Sequence, residues 1–116
     1  MGDKYIRLAH GNGGRFMREL IEDLFSRHLS AEGPDTTLDA SPFSLPAGVP
    51  VTSVDGFTVQ PLEFPGGDIG TLAVNGTVND LAVSGARPLY LTLSAILEEG
   101  LEIALLDRVV ASLAAE

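Results

Sequence analysis

The chain has no cysteine, no tryptophan and a single lysine, Lys4, among its 116 residues. Without cysteine there can be no disulfide, thiolate metal site or cysteine nucleophile within it. Cations are scarce: seven Lys and Arg stand against sixteen Asp and Glu, a formal charge of −9. Such a surface lacks the basic footprint that nucleic acid or an anionic membrane needs. It also sets a condition on phosphate chemistry, because a bound polyphosphate would need a metal ion held on carboxylates, or backbone N–H groups. No apolar run reaches the roughly 18–20 residues of a membrane span. Met1 to Tyr5 do not have the charged-then-apolar layout of a signal peptide. These absences lead to the expectation of a cytoplasmic protein with no nucleic-acid or membrane partner.

What is present suffices for one small domain over 1–116: hydrophobic residues make up 45% and charged residues 20%, enough to fold around a single core. Tyr5 to Ala9 is a short apolar-leaning stretch with strand character, followed by the glycine-rich loop His10-Gly11-Asn12-Gly13-Gly14. Phe16, Met17, Leu20, Ile21, Leu24 and Phe25 recur at helical spacing and predict a helix that Gly33-Pro34 stops. Pro34, Pro42, Pro46 and Pro50 make the next stretch a loop with at most an edge strand near Leu38–Leu45. Alternation predicts strands over Val51–Val59 and Leu89–Leu97. Between them Pro65-Gly66-Gly67 forms a turn, Asp68 is a good N-cap, and Ile69–Ser84 forms a helix apolar nearly all round, expected to be buried on most sides. A last helix, about Glu102 to Ala115, offers Leu105, Leu106, Val109, Val110 and Leu113 to the core. The order gives an α+β fold, helices packed on one face of a mixed or antiparallel sheet. Two strands make a thin sheet, which points to missing partner strands in further chain or in a second subunit.

Three features could carry chemistry. Gly66, Gly67 and Asp68 precede a helix N-terminus, where backbone can approach a ligand and anions are favoured; the plain alternative is an ordinary turn with an Asp cap, and no Gly-Lys-Ser/Thr follows to make a P-loop. Asn79 and Asp80 continue the stripe Ile69, Leu72, Ala73, Gly76, where an unpartnered carboxylate is costly; a cap or a pair with Arg87 would also explain them. Asp55 shares a strand face with Val51, Phe57 and Val59, which places it near the core edge, with Gly56 beside it giving close backbone access. Asp39, Asp55, Asp68 and Asp80 could together hold a hard cation, whereas separate carboxylates are ordinarily solvated. His10 reads as a loop residue and His28 as a solvent-facing residue beside a helix C-terminus.

Leu8-Ala9-His10-Gly11-Asn12-Gly13-Gly14-Arg15, Phe64-Pro65-Gly66-Gly67-Asp68-Ile69-Gly70 and the run Gly76 to Pro88 resemble the HypE family of hydrogenase maturation proteins. They occur in that order, with Leu97-Glu98-Glu99-Gly100 following. HypE belongs to a superfamily with aminoimidazole ribonucleotide synthetase (PurM), selenophosphate synthetase and thiamine monophosphate kinase. The resemblance implies an amino-terminal domain binding ATP with Mg2+, in an enzyme that dehydrates a thiocarboxamide on its carboxy-terminal cysteine to a thiocyanate. It implies Asp55, Gly66, Gly67, Asp68, Asn79 and Asp80 at the nucleotide, and Asp39, Asp55 and Asp80 at the metal. It further implies a homodimer formed by joining sheets, with the carbamoyltransferase HypF and the HypC–HypD complex as partners. The chain departs from the family pattern where Asp39-Ala40-Ser41 keeps one of two paired aspartates, and where Ser53-Val54-Asp55-Gly56 replaces Thr-Asp-Ser. The family's Gly-Asp-Thr-Lys strand, second domain and terminal cysteine do not follow, so the expectation is a truncated chain without catalytic residues of its own. The alternatives are a dimerising interaction module that has lost ATP, and a piece of another superfamily member.

Overall fold

A computed structural model describes residues 3–29 and 40–116. The predicted first helix is a helical rod in three pieces: α1 (Arg15–Leu20), a π-helical turn over Ile21–Phe25, and α2 (Ser26–Leu29). Leu20 and Leu24, one turn apart, point inward and are almost wholly buried. They meet Ile103, Leu106 and Val110 of α4 (Ile103–Ala115), whose apolar positions recur every three or four residues. Ile6 closes this core, with Phe25, Leu29, Leu97 and Leu101 packed at its margin.

The amino-terminal stretch is fixed by backbone bonds rather than by a strand. Ile6 N–H donates to Leu101 O at 2.7 Å, Gly100 N–H to Ile6 O at 2.7 Å and Ile103 N–H to Lys4 O at 2.8 Å. Among the described residues, a single isolated bridge, Tyr5–Glu102, is formed here, and Leu8–Gly11 winds into a 3-10 turn instead of continuing the strand suggested for Tyr5–Ala9.

The ladder-forming sheet is a two-stranded antiparallel hairpin, β1 (Glu63–Phe64) with β2 (Gly67–Asp68), leading directly into α3 (Ile69–Val83). α3 crosses α4 closely enough that a Cβ on Gly70 would lie 2.5 Å from Val109 O and 3.1 Å from Leu113 N. A side chain there would force the helices apart.

Helices with a small antiparallel sheet therefore match the expected α+β class, but several details differ. Val51–Val59 and Leu89–Leu97 form no strand: among the described residues, no backbone–backbone hydrogen bond engages 51–59 or 89–96. Alternation sets which way side chains point, but a strand exists only when a neighbour supplies the ladder. Residues 40–45 contain no strand; Leu38, Asp39 and the expected helix stop at Gly33-Pro34 lie outside the described residues. The buried line of α3 is Gly70, Val74 and Leu81, not the stripe through Ile69 and Leu72, and Val83 is 77% exposed. An apolar composition with almost no moment cannot fix a helix's rotation; the Gly70 contact with α4 does so here.

Candidate functional site

The hairpin and the start of α3 form the most tightly specified local structure. Pro65 pre-sets the first turn position and Gly66, at φ +95°, takes the left-handed second one. A Cβ on Gly67 would meet Thr71 Oγ1 at 2.5 Å, so the backbone there must stay bare. Asp68 is 95% buried, and its Oδ1 accepts from Thr71 N–H at 3.0 Å. Thr71 Oγ1 reciprocates, accepting from Asp68 N–H at 3.0 Å and donating to Asp68 O at 2.8 Å. This is the N-cap the sequence predicts, closed into a capping box. The Asp68 carboxylate thus already complements the positive end of α3.

From α4, Arg108 reaches across to the hairpin and grips Glu63 with two parallel bonds of 3.0 Å. Those bonds hold the Glu63 carboxyl below its usual range, against partial desolvation and the repulsion of Asp68 opposite it in the ladder.

The other predicted residues lie further along. Asn79 is exposed and Asp80 half-buried on the flank of α3, not on its buried line. Ser84 Oγ donates to the Asp80 carbonyl at 3.1 Å, and no ion pair joins Asp80 to Arg87 among the described residues. Asp55 is exposed rather than at the core edge, accepting from Gly56 N–H at 2.9 Å. One contact brings the two segments together. The Phe57 ring covers Gly76 so closely that a Cβ there would sit 2.7 Å from it. Asp55 lies two residues before Phe57 in sequence, and Asp80 one helical turn after Gly76. A groove of about 550 Å³ is lined by Gly56, Phe57, Thr58, Ser94 and Ile96; Asp55 is not in its lining. Asp39 lies outside the described residues, and no three His, Asp or Glu side chains converge among those described.

Two histidines depart from their expected surroundings. His10 is 96% buried: its Nδ1 accepts from Arg7 N–H at 2.8 Å, and its Nε2 lies 3.5 Å from the Asp3 carboxylate. His28 is not solvent-facing; it bonds Asp107 of α4 at 2.9 Å, and Arg27 bonds the same oxygen. The His28 hydrogen bond, and then Arg27, hold the Asp107 carboxyl below its ordinary range. Nothing in the helical spacing announced either arrangement, since each depends on a partner distant in sequence or on the tightness of a local turn.

The helical layer, the capped hairpin and the carboxylate-bearing segments on either side of Phe57 correspond to a known domain. Residues 39–116 match the family described as AIR synthase related protein, N-terminal domain, and the chain belongs to that family. Among particular relatives, it is 52% identical over 110 residues to carbamoyl dehydratase HypE of Azotobacter vinelandii, covering 95% of this chain and 32% of that protein. To the Rhodobacter capsulatus carbamoyl dehydratase HypE it is 49% identical over 116 residues, 98% of this chain and 34% of the relative. A crystal structure of the hydrogenase maturation protein HypE in complex with ATP superimposes with a TM-score of 0.87 at 52% identity, over 93% of this chain and 32% of that one. The chain spans about a third of the length of these relatives.

Proposed function

We propose that the chain is the ATP-side, amino-terminal domain of a HypE-like hydrogenase maturation protein, acting in the cytoplasm. The observation that carries this reading is the likeness in fold and sequence to a HypE solved with ATP. In the reading, Asp55 and Asp80, carried by the two segments that Phe57 and Gly76 bring together, would hold Mg2+, with Asn79 and Asp39 contributing. Their hard oxygen donors suit that ion, and the short supply of cations in a chain of charge −9 makes it necessary. Bound magnesium would neutralise charge on the phosphate oxygens. The chain's own contribution is positioning. Gly66, with nothing within 4 Å of its Cβ position, leaves the backbone open to a phosphate, Gly67 makes room for Thr71 against the turn, Asp68 locks the loop to α3, and Arg108 fixes Glu63 so that its carboxylate does not swing toward the anion. Because Asp68 is buried in its capping box, it serves the loop rather than the metal.

Dehydration of a thiocarboxamide, and assembly with HypF and the HypC–HypD complex, are what membership in the HypE line implies for the whole protein. A homodimer would give Val51–Val59 and Leu89–Leu97 the ladder partners they lack here.

Isothermal titration of this chain with ATP in the presence of Mg2+ tests the core of the reading. Binding that Asp80→Asn weakens about tenfold or more, only when Mg2+ is present, supports it; absence of binding at millimolar ligand sinks it. The lone aspartate at Asp39-Ala40-Ser41 favours a second reading, an interaction module that has kept the dimerising sheet and lost ATP. Self-association without nucleotide binding in the same samples would select it.

A further inference from the structure

Two Asn-Gly pairs occur in this chain, and the fold treats them oppositely. Asn12-Gly13 lies in the exposed turn between the Leu8–Gly11 3-10 turn and α1. Asn75-Gly76 lies within α3. An asparagine followed by glycine is open to attack of the glycine amide nitrogen on the asparagine side-chain carbonyl carbon. The new N–C bond closes a five-membered succinimide, and the carboxamide nitrogen leaves as ammonia. Water then opens either carbonyl of the ring, giving aspartate or isoaspartate, so that asparagine and water become an acidic residue and ammonia with no oxidant or cofactor. The reaction needs a deprotonatable, unengaged amide, room for the ring and a backbone free to rotate away from helical geometry.

Asn12-Gly13 meets all three conditions. Gly13 N–H makes no backbone hydrogen bond among the described residues, and only the Asn12 N–H is tied, to Ala9 O at a long 3.4 Å. Nothing lies within 4 Å of where a Gly13 Cβ would stand, and its φ of +74° shows a backbone that only glycine holds at ease. Both residues are exposed. At Asn75-Gly76 each condition fails: the Gly76 amide belongs to the hydrogen-bond ladder of a fifteen-residue helix, and the Phe57 ring closes the space above it.

We propose that Asn12 is a site of spontaneous succinimide formation and deamidation, and that α3 with Phe57 protects Asn75 from the same chemistry. The aspartyl product adds a carboxylate just ahead of α1, where a negative charge is favourable. The isoaspartyl product diverts the main chain through an extra methylene at the glycine-rich turn. Neither outcome depends on nucleotide binding.

The test is peptide mapping after incubation of the native chain at mildly alkaline pH, where the amide nitrogen deprotonates more readily. Trypsin releases Leu8–Arg15, in which Asn12 is the only asparagine. The expected result is a gain of one mass unit in that peptide, split into aspartyl and isoaspartyl forms and accompanied by ammonia, at least tenfold faster than at Asn75. Asn12→Ser should abolish it. In urea the two pairs should react at similar rates, because the fold alone separates them. Equal rates in the folded chain, or a difference that persists after unfolding, would overturn the proposal.

Discussion

Gly70 carries the sharpest constraint of any single residue, since its missing side chain lets α3 reach the backbone of α4. Gly70→Ala should lower stability by about 1–3 kcal/mol, the range for overpacking a close contact, and denaturant unfolding would measure it. Asp68 acts through its hydrogen bonds, so Asp68→Ala should cost about 1 kcal/mol of helix capping. Asp68→Asn, which keeps an acceptor oxygen, should recover most of that in a thermal melt. If the two variants melt alike, the cap is not what Asp68 supplies. These residues differ in how plainly the sequence shows them. Asp68 followed by an apolar helix announces a cap from local chemistry alone, whereas Gly70 looks like any helical glycine until α4 is laid across it. Asp80 was visible as a carboxylate in an apolar helix, but whether it faced the core depended on the helix's rotation, which Gly70 and not the hydrophobic pattern decides.

At the level of elements, the helical rod Arg15–Leu29 and α4 are joined twice, by the apolar contact of Leu20 and Leu24 with Leu106 and Val110, and by the bonds of Arg27 and His28 to Asp107. The folded carboxyl of Asp107 titrates below its unfolded value. Its contribution is therefore complete above the unfolded aspartate value of about 3.9 and is lost as pH falls through the lower folded value. Asp107→Asn should lower the melting temperature at neutral pH, corresponding to no more than about 1 kcal/mol for so accessible a pair. The difference from the parent chain should vanish under strongly acidic conditions; a difference that persisted there would mean that packing, not charge, joins the helices. Helix boundaries for α3 and α4 could be read closely from apolar spacing and the Asp68 cap, because helices satisfy their own backbone. Val51–Val59 and Leu89–Leu97 could be read only as strand-like, because a ladder is a property of two segments and neither finds its neighbour here. The Glu63–Phe64 hairpin escaped notice because two residues per strand give alternation nothing to repeat.

For the molecule as a whole, the two strand-like segments 51–59 and 89–97 carry unsatisfied pairing capacity alongside exposed Val51, Val54, Leu89, Leu91, Leu93 and Ile96. Apolar side chains beside unpaired backbone are the features of a surface that adds a strand from a protein neighbour. Sedimentation of the chain across a hundredfold concentration range should show reversible association to a dimer. A proline at Leu91, which breaks ladder pairing without enlarging the core, should shift that equilibrium toward the monomer. Monomer behaviour throughout would sink the idea that two copies pair through these segments. The same surface offers a way to watch its own fate. With no tryptophan and only two tyrosines, Tyr5 and Tyr90, the chain's ultraviolet emission comes from two known places. Tyr90 sits in the second of these segments, donating to Ser44 O at 2.7 Å and lying against the Phe43 ring. Replacing Tyr5 with phenylalanine would leave Tyr90 as a single built-in lamp on that segment, its brightness reporting when the strand finds a neighbour.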